Sequence, residues 1–185
     1  MIQFSKVSFG QFYNDFKKAF NMSDVINHGD GCIEMVDLKP QIQIIYDNIE
    51  LPTRATTGSA GYDFHCPIDI NIAVGTSVKI PTGIRCKMDS DTVLFGIIRS
   101  SLGFKYEIGI VNQTAVLDSD YFYSDNEGHI FFKLHNYGDK DCRLNQGDRF
   151  VQGVFLKYGI TDDDNVIAKR NGGMGSTNER KASYK

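Results

Sequence analysis

Three short clusters in the sequence combine glycine with hydroxyl or guanidinium side chains. They read TGSAGYD at residues 57–63, RSSLG at residues 99–103 and GGMGST at residues 172–177. Exposed N–H groups in glycine-rich turns, hydroxyl donors and an arginine fork all suit the anionic oxygens of a phosphate. Any one cluster could be an ordinary turn, but three in one small chain favour a phosphate-binding site.

The third cluster differs from the phosphate loop of nucleoside triphosphatases. No lysine precedes Ser176, and the chain ends soon afterwards without a helix to follow the loop. A glycine-rich tail that is flexible when free and closes as a lid over a bound ligand suits this composition better.

Two carboxylates flank a serine in the segment VLDSDY at residues 116–121. If the segment stays extended, Asp118 and Asp120 point to opposite faces, so one could face a site while the other makes a structural contact. Alone, this pattern favours a turn or surface role over catalysis.

The elements that position these residues belong to a chain of one-domain size. The 185 residues are 41% hydrophobic and 23% charged, which is typical of a globular protein, and the net charge of −3 argues against direct binding of nucleic acid. No apolar run is long enough for a membrane span and no signal peptide is evident, so we expect a cytoplasmic protein. The four cysteines are widely spaced, as expected for reduced thiols, and no metal site built wholly from protein is indicated.

The periodicity of the sequence predicts one helix followed by strands. Aromatic residues recur every three or four positions over residues 8–20, where Ser8 and Gln11 fit a capping box. Short β-branched and aromatic segments follow, at residues 41–46, 76–80, 93–98, 130–135 and 150–158. We therefore predict an all-β fold, with an N-terminal extension at residues 1–40, a β core at 41–164 and the tail at 165–185.

Five segments, in order, resemble the five motifs of the homotrimeric dUTPases (deoxyuridine triphosphatases). They are AGYDF at 60–64, RSSLG at 99–103, VLDSDY at 116–121, GDRFVQ at 147–152 and GGMGST at 172–177. The resemblance spans roughly residues 42–178. It implies a jelly-roll β subunit, a homotrimer whose active sites take motifs from all three chains, and hydrolysis of dUTP to dUMP and pyrophosphate. That reaction limits uracil incorporation into DNA and supplies dUMP for thymidylate synthesis.

The resemblance also implies roles for individual residues. Asp118 would be the general base that deprotonates the attacking water, Asn112 would contact the uracil, and Tyr121 would pack on the deoxyribose and exclude a 2′-hydroxyl. Mg²⁺ would bind mainly through the triphosphate and waters, with Asp63 in its outer shell. The remaining expected site residues hold the phosphates or cover the nucleotide: Arg99, Ser100, Ser101, Gln152, Lys169, Arg170, Gly173, Met174, Gly175, Ser176 and Thr177.

The chain departs from the family pattern at several positions. Met174 stands where the fifth motif usually has phenylalanine, and Ala115 where the third motif commonly has glycine. The family arginine of the fifth motif aligns on Lys169, with Arg170 one place along. The segment at residues 122–128 is longer than usual.

Two other functions remain open from the sequence. A dCTP deaminase of the same fold needs a glutamate on the strand after the third motif, but that segment reads IFFKLH at residues 130–135. The other alternative is a regulatory module that contacts a protein partner through residues 1–40. The intact second motif and Asp118 favour catalysis.

Overall fold

The computed structural model describes residues 1–27, 33–168, 170 and 172. In these residues the helices are α1 (Phe9–Ala19), α2 (Lys39–Asp47) and α3 (Ser100–Tyr106), with a 3₁₀ turn at Ser119–Tyr123. The strands are β1 (Gln3–Lys6), β2 (Val25–Asn27), β3 (Ile33–Met35), β4 (Thr53–Arg54), β5 (Tyr62–His65), β6 (Ile70–Ile72), β7 (Ser77–Pro81), β8 (Ile84–Lys87), β9 (Thr92–Ile98), β10 (Ile108–Ile110), β11 (Ala115–Leu117), β12 (Phe131–Asn136), β13 (Cys142–Leu144) and β14 (Arg149–Lys157).

The strands pair antiparallel throughout the described chain. The largest sheet has the order β11-β9-β14-β5-β4, and a second sheet has the order β10-β12-β7. Three two-stranded pairs complete the arrangement: β1 with β8, β6 with β13, and β2 with β3. Neighbours in the sheets are often distant in sequence, as in a jelly roll, and the predicted all-β fold is confirmed.

Aromatic side chains from both large sheets meet in the core. The ring of Phe132 on β12 packs edge-on against Phe64 of β5 and Phe150 of β14, at centroid distances of 5.2 and 5.8 Å. A Cβ atom on Gly96 of β9 would lie 2.4 Å from the Phe132 ring. Glycine at this position therefore lets the second sheet approach β9 closely.

Helix α1 lies within one residue of the predicted bounds at each end and packs its aromatic face on the core, where Phe12 and Phe16 are buried. Ser8 caps the helix, because its Oγ accepts a hydrogen bond from the Gln11 amide at 3.2 Å. The predicted capping box forms only in part. The Gln11 side chain donates to Asp15 instead, and the carboxylate that accepts from the Ser8 amide belongs to Glu127, 119 residues along the chain.

The strand predicted at residues 41–46 is wrong, because this segment forms helix α2. Pro40 lies in the first helical turn, where a missing N–H costs no intrahelical hydrogen bond. Ile42, Ile45 and Tyr46 then share one face and pack on the core, whereas Ile44 is exposed. Helical spacing of the apolar residues outweighs the strand preference of isoleucine and tyrosine.

Cys66, Cys86 and Cys142 are buried free thiols, and Cys32 lies outside the described residues. Burial raises the pKa of Cys66 and of Cys86 to about 12, so neither is a reactive thiolate at neutral pH. Within the described ranges, no helix has the length and apolar character needed to cross a bilayer.

Candidate active site

A cavity of about 170 Å³ lies beside the turn between β10 and β11, and its walls include Asn112, Asp118, Tyr121 and Arg170. Asn112 is in the turn, where Gln113 adopts a left-handed backbone conformation with φ of 63° and its amide bonds to Ile110 O at 2.7 Å. The structure thus brings the three residues expected to contact uracil, water and deoxyribose to one cavity.

The methyl group of Ala115 is accommodated by β9. Ala115 pairs directly with Gly96, which presents no side chain toward it. A Cβ atom on Gly96 would lie only 3.2 Å from the Ala115 Cβ atom. The hairpin therefore keeps a regular register with β9 from Ala115 to Leu117.

Asp118 and Asp120 do not point to opposite faces, because the extended conformation ends at Asp118 and a 3₁₀ turn follows. Asp118 is the N-cap of this turn, and Tyr121 N donates to its carbonyl at 3.1 Å. The turn lets Arg170 bind both carboxylates, with Nη2 on Asp118 and Nε on Asp120, the latter at 2.8 Å. The two aspartates are alike in exposure, with side chains 47% and 53% exposed.

Tyr121 is buried, and both hydrogen-bonding capacities of its hydroxyl are used. The hydroxyl donates to the carbonyl of His129 at 2.7 Å and accepts from Asn126 Nδ2 at 2.8 Å. Burial raises the pKa of Tyr121, so the hydroxyl stays protonated and keeps its donor role. These two hydrogen bonds therefore fix the Tyr121 ring at the cavity wall.

A second group of expected site residues surrounds the buried carboxylate of Asp63. Arg99 Nε lies 3.1 Å from Asp63 Oδ1, and Arg149 Nη1 lies 3.2 Å from Oδ2. These ion pairs orient two guanidinium groups at the end of β9. The role of Asp63 near a metal stays a prediction. Sequence reasoning missed Arg149, although its place inside the fourth motif was a usable signal.

Gln152 lies beside this group because β14 pairs it with Asp63 on β5. A Cβ atom on Gly61 would lie 2.6 Å from Gln152 Oε1, so glycine in the first motif leaves room for this amide. Ser100 and Ser101 open helix α3 and are exposed. This cluster, with Arg99 and Arg149, presents donors suited to phosphate oxygens.

The two groups of residues stand at opposite ends of β9 within one chain. Leu117 pairs with Leu94, which places Asp118 beside Val93, whereas Arg99 follows the last residue of the strand. Six residues of extended chain span about 20 Å, so one chain does not bring Asp118 and Arg99 to the same phosphate group. The expected residues Lys169, Gly173, Met174, Gly175, Ser176 and Thr177 lie outside the described residues.

Comparison with known proteins shows the family. The dUTPase family model matches residues 47–178, so the chain belongs to the dUTPase family. The Lactococcus lactis deoxyuridine 5'-triphosphate nucleotidohydrolase is 39% identical over 132 residues, which are 70% of this chain and 88% of that protein. The Streptococcus mutans dUTPase structure is 38% identical, with a TM-score of 0.57 over 63% of this chain and 91% of that one.

A more distant structure supports the fold alone. A mutant dUTPase of phage phi11 of S. aureus is 18% identical and covers 66% of this chain and 92% of its own, with a TM-score of 0.55. That protein coordinates a structural Mg(II) ion. Residues 1–46, which include α1, lie outside the family match.

Proposed function

We propose that this protein hydrolyses dUTP to dUMP and pyrophosphate. The observation that carries the proposal is the single cavity that brings Asn112, Asp118 and Tyr121 together, in a chain of the dUTPase family. Asn112 binds the uracil from the exposed turn, and the Tyr121 ring packs on the deoxyribose where a 2′-hydroxyl would collide with it. The turn thus selects the base, and the ring selects the sugar.

Asp118 is the general base of the proposed reaction. Its half-exposed carboxylate takes a proton from a water molecule as the water oxygen attacks the α-phosphorus of dUTP. The bond from the α-phosphorus to the bridging oxygen breaks, and pyrophosphate leaves. Positioning and charge neutralisation supply most of the catalysis in such transfers, in keeping with a site rich in donors.

The phosphate-binding group completes the site from a neighbouring subunit of a homotrimer. Because Arg99 stands about 20 Å from Asp118 along β9, it serves the nucleotide of another chain, together with its neighbours Ser100, Ser101 and Gln152. The guanidinium of Arg99 and the serine hydroxyls bind the phosphate chain, while Gln152 holds the attacking water.

The outer face of the large sheet supports this assembly. Val116 and Val154 pair with Phe95 on either side of it, and Ile97 and Leu156 lie on the neighbouring rows. Val116 is 56% exposed and Leu156 is 50% exposed. A sheet face this apolar is typical of a surface buried between subunits.

Mg²⁺ is the cofactor of the proposed reaction, and the chemistry of the donors fits it. In the described part of the chain, no three His, Cys, Asp or Glu side chains form a metal-binding group. The ion would be held mainly by triphosphate oxygens and waters, and it would neutralise phosphate charge. Asp63 orients the guanidinium groups beside the phosphates, and its carboxylate would lie in the outer shell of the ion.

The C-terminal tail covers the bound nucleotide as a lid. Ser176 and Thr177 donate to the phosphates, the glycines at 173 and 175 allow the close approach of the backbone, and Met174 covers the uracil. Lys169 or Arg170 supplies a cation to the γ-phosphate. Arg170 already lies beside the general base, where it pairs with Asp118.

One assay tests the proposed function. Pyrophosphate release is measured from dUTP, dCTP, dTTP and UTP with Mg²⁺ present, and we expect hydrolysis selective for dUTP. Equal rates on dCTP or UTP would refute the proposal. Ammonia release from dCTP would indicate the deaminase instead, although β12 carries no glutamate.

The N-terminal extension supports a second candidate role, the binding of a protein partner. Its described residues expose apolar side chains, including Met35 at 73%, and Ile44 just beyond it is 62% exposed. Substitution of both by serine should abolish binding of such a partner without changing dUTP hydrolysis. We further propose that the protein acts in the cytoplasm, where free thiols such as those of Cys66, Cys86 and Cys142 remain reduced.

A further inference from the structure

The segment at residues 122–130, which we name the tyrosine loop, includes the end of the 3₁₀ turn, leads to β12 and closes tightly over Tyr121. Glu127 and Gly128 both have left-handed backbones, with φ of 58° and 71°. A Cβ atom on Gly128 would lie 2.6 Å from Phe122 Cα and 2.8 Å from the Tyr121 carbonyl oxygen. The position of the Tyr121 ring therefore depends on the path of this loop.

His129 connects the tyrosine loop to helix α1 through a fully buried side chain. The Gly83 amide donates to Nε2 at 2.8 Å, which requires this nitrogen to be unprotonated. The proton is then on Nδ1, which donates to Asp15 Oδ2 at 2.7 Å. The backbone carbonyl of the same histidine accepts the Tyr121 hydroxyl, so helix and tyrosine are bound by one residue.

The protonation states agree with this geometry. Burial lowers the pKa of His129, although Asp15 partly opposes it, which favours the neutral ring. Burial raises the pKa of Asp15, but hydrogen bonds from His129 and Gln11 outweigh it and leave the pKa below its ordinary value. A neutral imidazole thus donates to a carboxylate.

A second connection joins α1 to the same loop. The Glu127 carboxylate accepts from the Ser8 amide at 2.7 Å and from the Ser8 hydroxyl at 2.6 Å. These contacts place a negative charge at the positive end of the helix. They also fix the loop at Glu127, whose positive φ is a backbone conformation that glutamate rarely adopts.

We propose that α1 is a specificity element of the active site, in which Asp15 and His129 are positioning residues that hold Tyr121 against the sugar and so set the discrimination between dUTP and UTP. This inference rests on the proposed function. The helix lies outside residues 47–178, which match the family model.

The test compares kcat/KM for dUTP and UTP in the Asp15→Ala variant. Without its acceptor, the His129 ring loses its anchor on α1, and the Tyr121 ring gains freedom to admit a 2′-hydroxyl. We expect the ratio of kcat/KM for dUTP over UTP to fall by about tenfold, since a displacement of ~1 Å can cost ~100-fold in rate. Turnover of UTP per folded molecule should rise, which mere loss of stability cannot produce.

Asp24→Ala is the matched control. Asp24 also serves α1, where it binds Tyr13 and Lys17, but it contacts no residue of the tyrosine loop among its described partners. The selectivity ratio should not change in this variant. Asp15→Asn should retain most of the selectivity, because the amide oxygen can still accept from His129.

The outcomes separate the two proposals. A wild-type protein that does not hydrolyse dUTP overturns the proposed function and this inference with it. Selective wild-type hydrolysis with an unchanged ratio in folded Asp15→Ala overturns this inference alone. If circular dichroism shows that Asp15→Ala does not fold, Ser8→Ala decides, because it removes the hydroxyl contact with Glu127. A lower ratio in Ser8→Ala supports the inference, and an unchanged one refutes it.

Discussion

Asp118→Asn is the substitution that separates general-base catalysis from all other roles of this carboxylate. The amide keeps the size and shape of the side chain but cannot accept the proton of the attacking water. Asp120→Asn is a closely matched control. Both aspartates pair with Arg170 and both are about half exposed, so each substitution removes one charge beside the same guanidinium.

The expected magnitudes differ between turnover and binding. Loss of a general base lowers kcat by about 10²–10⁴-fold. Binding should be unchanged or slightly tighter, because the carboxylate repels the phosphates. Two charges ~4 Å apart interact by about 1 kcal/mol in a water-like dielectric, so removing the repulsion tightens binding by about fivefold at most. Loss of the Arg170 pair adds little, since exposed ion pairs contribute about 0–1 kcal/mol.

Two measurements decide the role of Asp118. Single-turnover hydrolysis of dUTP reports the chemical step, and calorimetry with a non-hydrolysable dUTP analogue reports binding. We expect Asp118→Asn to lose turnover and keep binding, and Asp120→Asn to keep more of the activity. Equal losses of kcat in the two variants would refute the assignment, as would lost binding with preserved turnover in Asp118→Asn.

Four further predictions concern the tail, the assembly and pH. A chain ending at residue 168 should lose about 100-fold or more in kcat while the β core stays folded by circular dichroism, and full kcat would show that the tail is no lid. Met174→Phe should tighten dUTP binding by at most about 1–2 kcal/mol in calorimetry, and weaker binding would exclude Met174 from the uracil. Light scattering should show that the wild type is a trimer. Val116→Glu places a charge on the apolar sheet face and should lower the measured mass. A fully active wild-type monomer would refute the shared site. Burial lowers the pKa of His129 below 6.5, so as the pH falls the unfolded chain binds the proton before the folded chain does. The free energy of unfolding should therefore fall by up to ~1.4 kcal/mol per pH unit below about pH 6.5. Urea titrations measure this slope, and His129→Gln should remove it.

Local patterns predicted the elements with strong periodicity. The strand predicted at residues 93–98 is β9 and the one at 150–158 is β14, each with bounds that differ by no more than one residue, and the aromatic spacing predicted α1. The pattern misled where β-branched residues lie in a helix, as Ile42 and Ile45 do in α2. There the proline in the first turn was the more reliable signal, since it agrees with helical spacing of the buried residues.

The candidate site was predictable in its residue types but not in its contacts. Ordered motifs pointed to Asp118, Tyr121 and Arg99, which are short-range signals that a linear sequence retains. The pairing of Asp15 with His129 joins residues 114 positions apart, and no local pattern marks either one. Such contacts depend on the register between α1 and the sheets, which only the folded chain determines.

The extension and the tyrosine loop are parts of one arrangement. Lengthening a loop costs little in closure entropy, about 0.6 kcal/mol for each doubling, but it leaves more backbone that must be held in one conformation. A left-handed glutamate adds a further cost of order 1 kcal/mol. Hydrogen bonds to charged groups contribute about 1.5–3 kcal/mol each, so the two bonds from Ser8 to Glu127 suffice to hold this backbone even after discounting for their exposure.

The same reasoning explains why the connection runs through Gly83. Its amide donates to His129 and its carbonyl accepts from Val7, so the chain just before α1 and the tyrosine loop meet on one residue of the β core. Gly83 has φ of 73°, and a Cβ atom there would lie 2.3 Å from Ile49. Any other residue at position 83 would be strained, both by the positive φ and by the contact of its Cβ atom with Ile49. Glycine at this position therefore lets one backbone unit bind both the chain before α1 and the tyrosine loop.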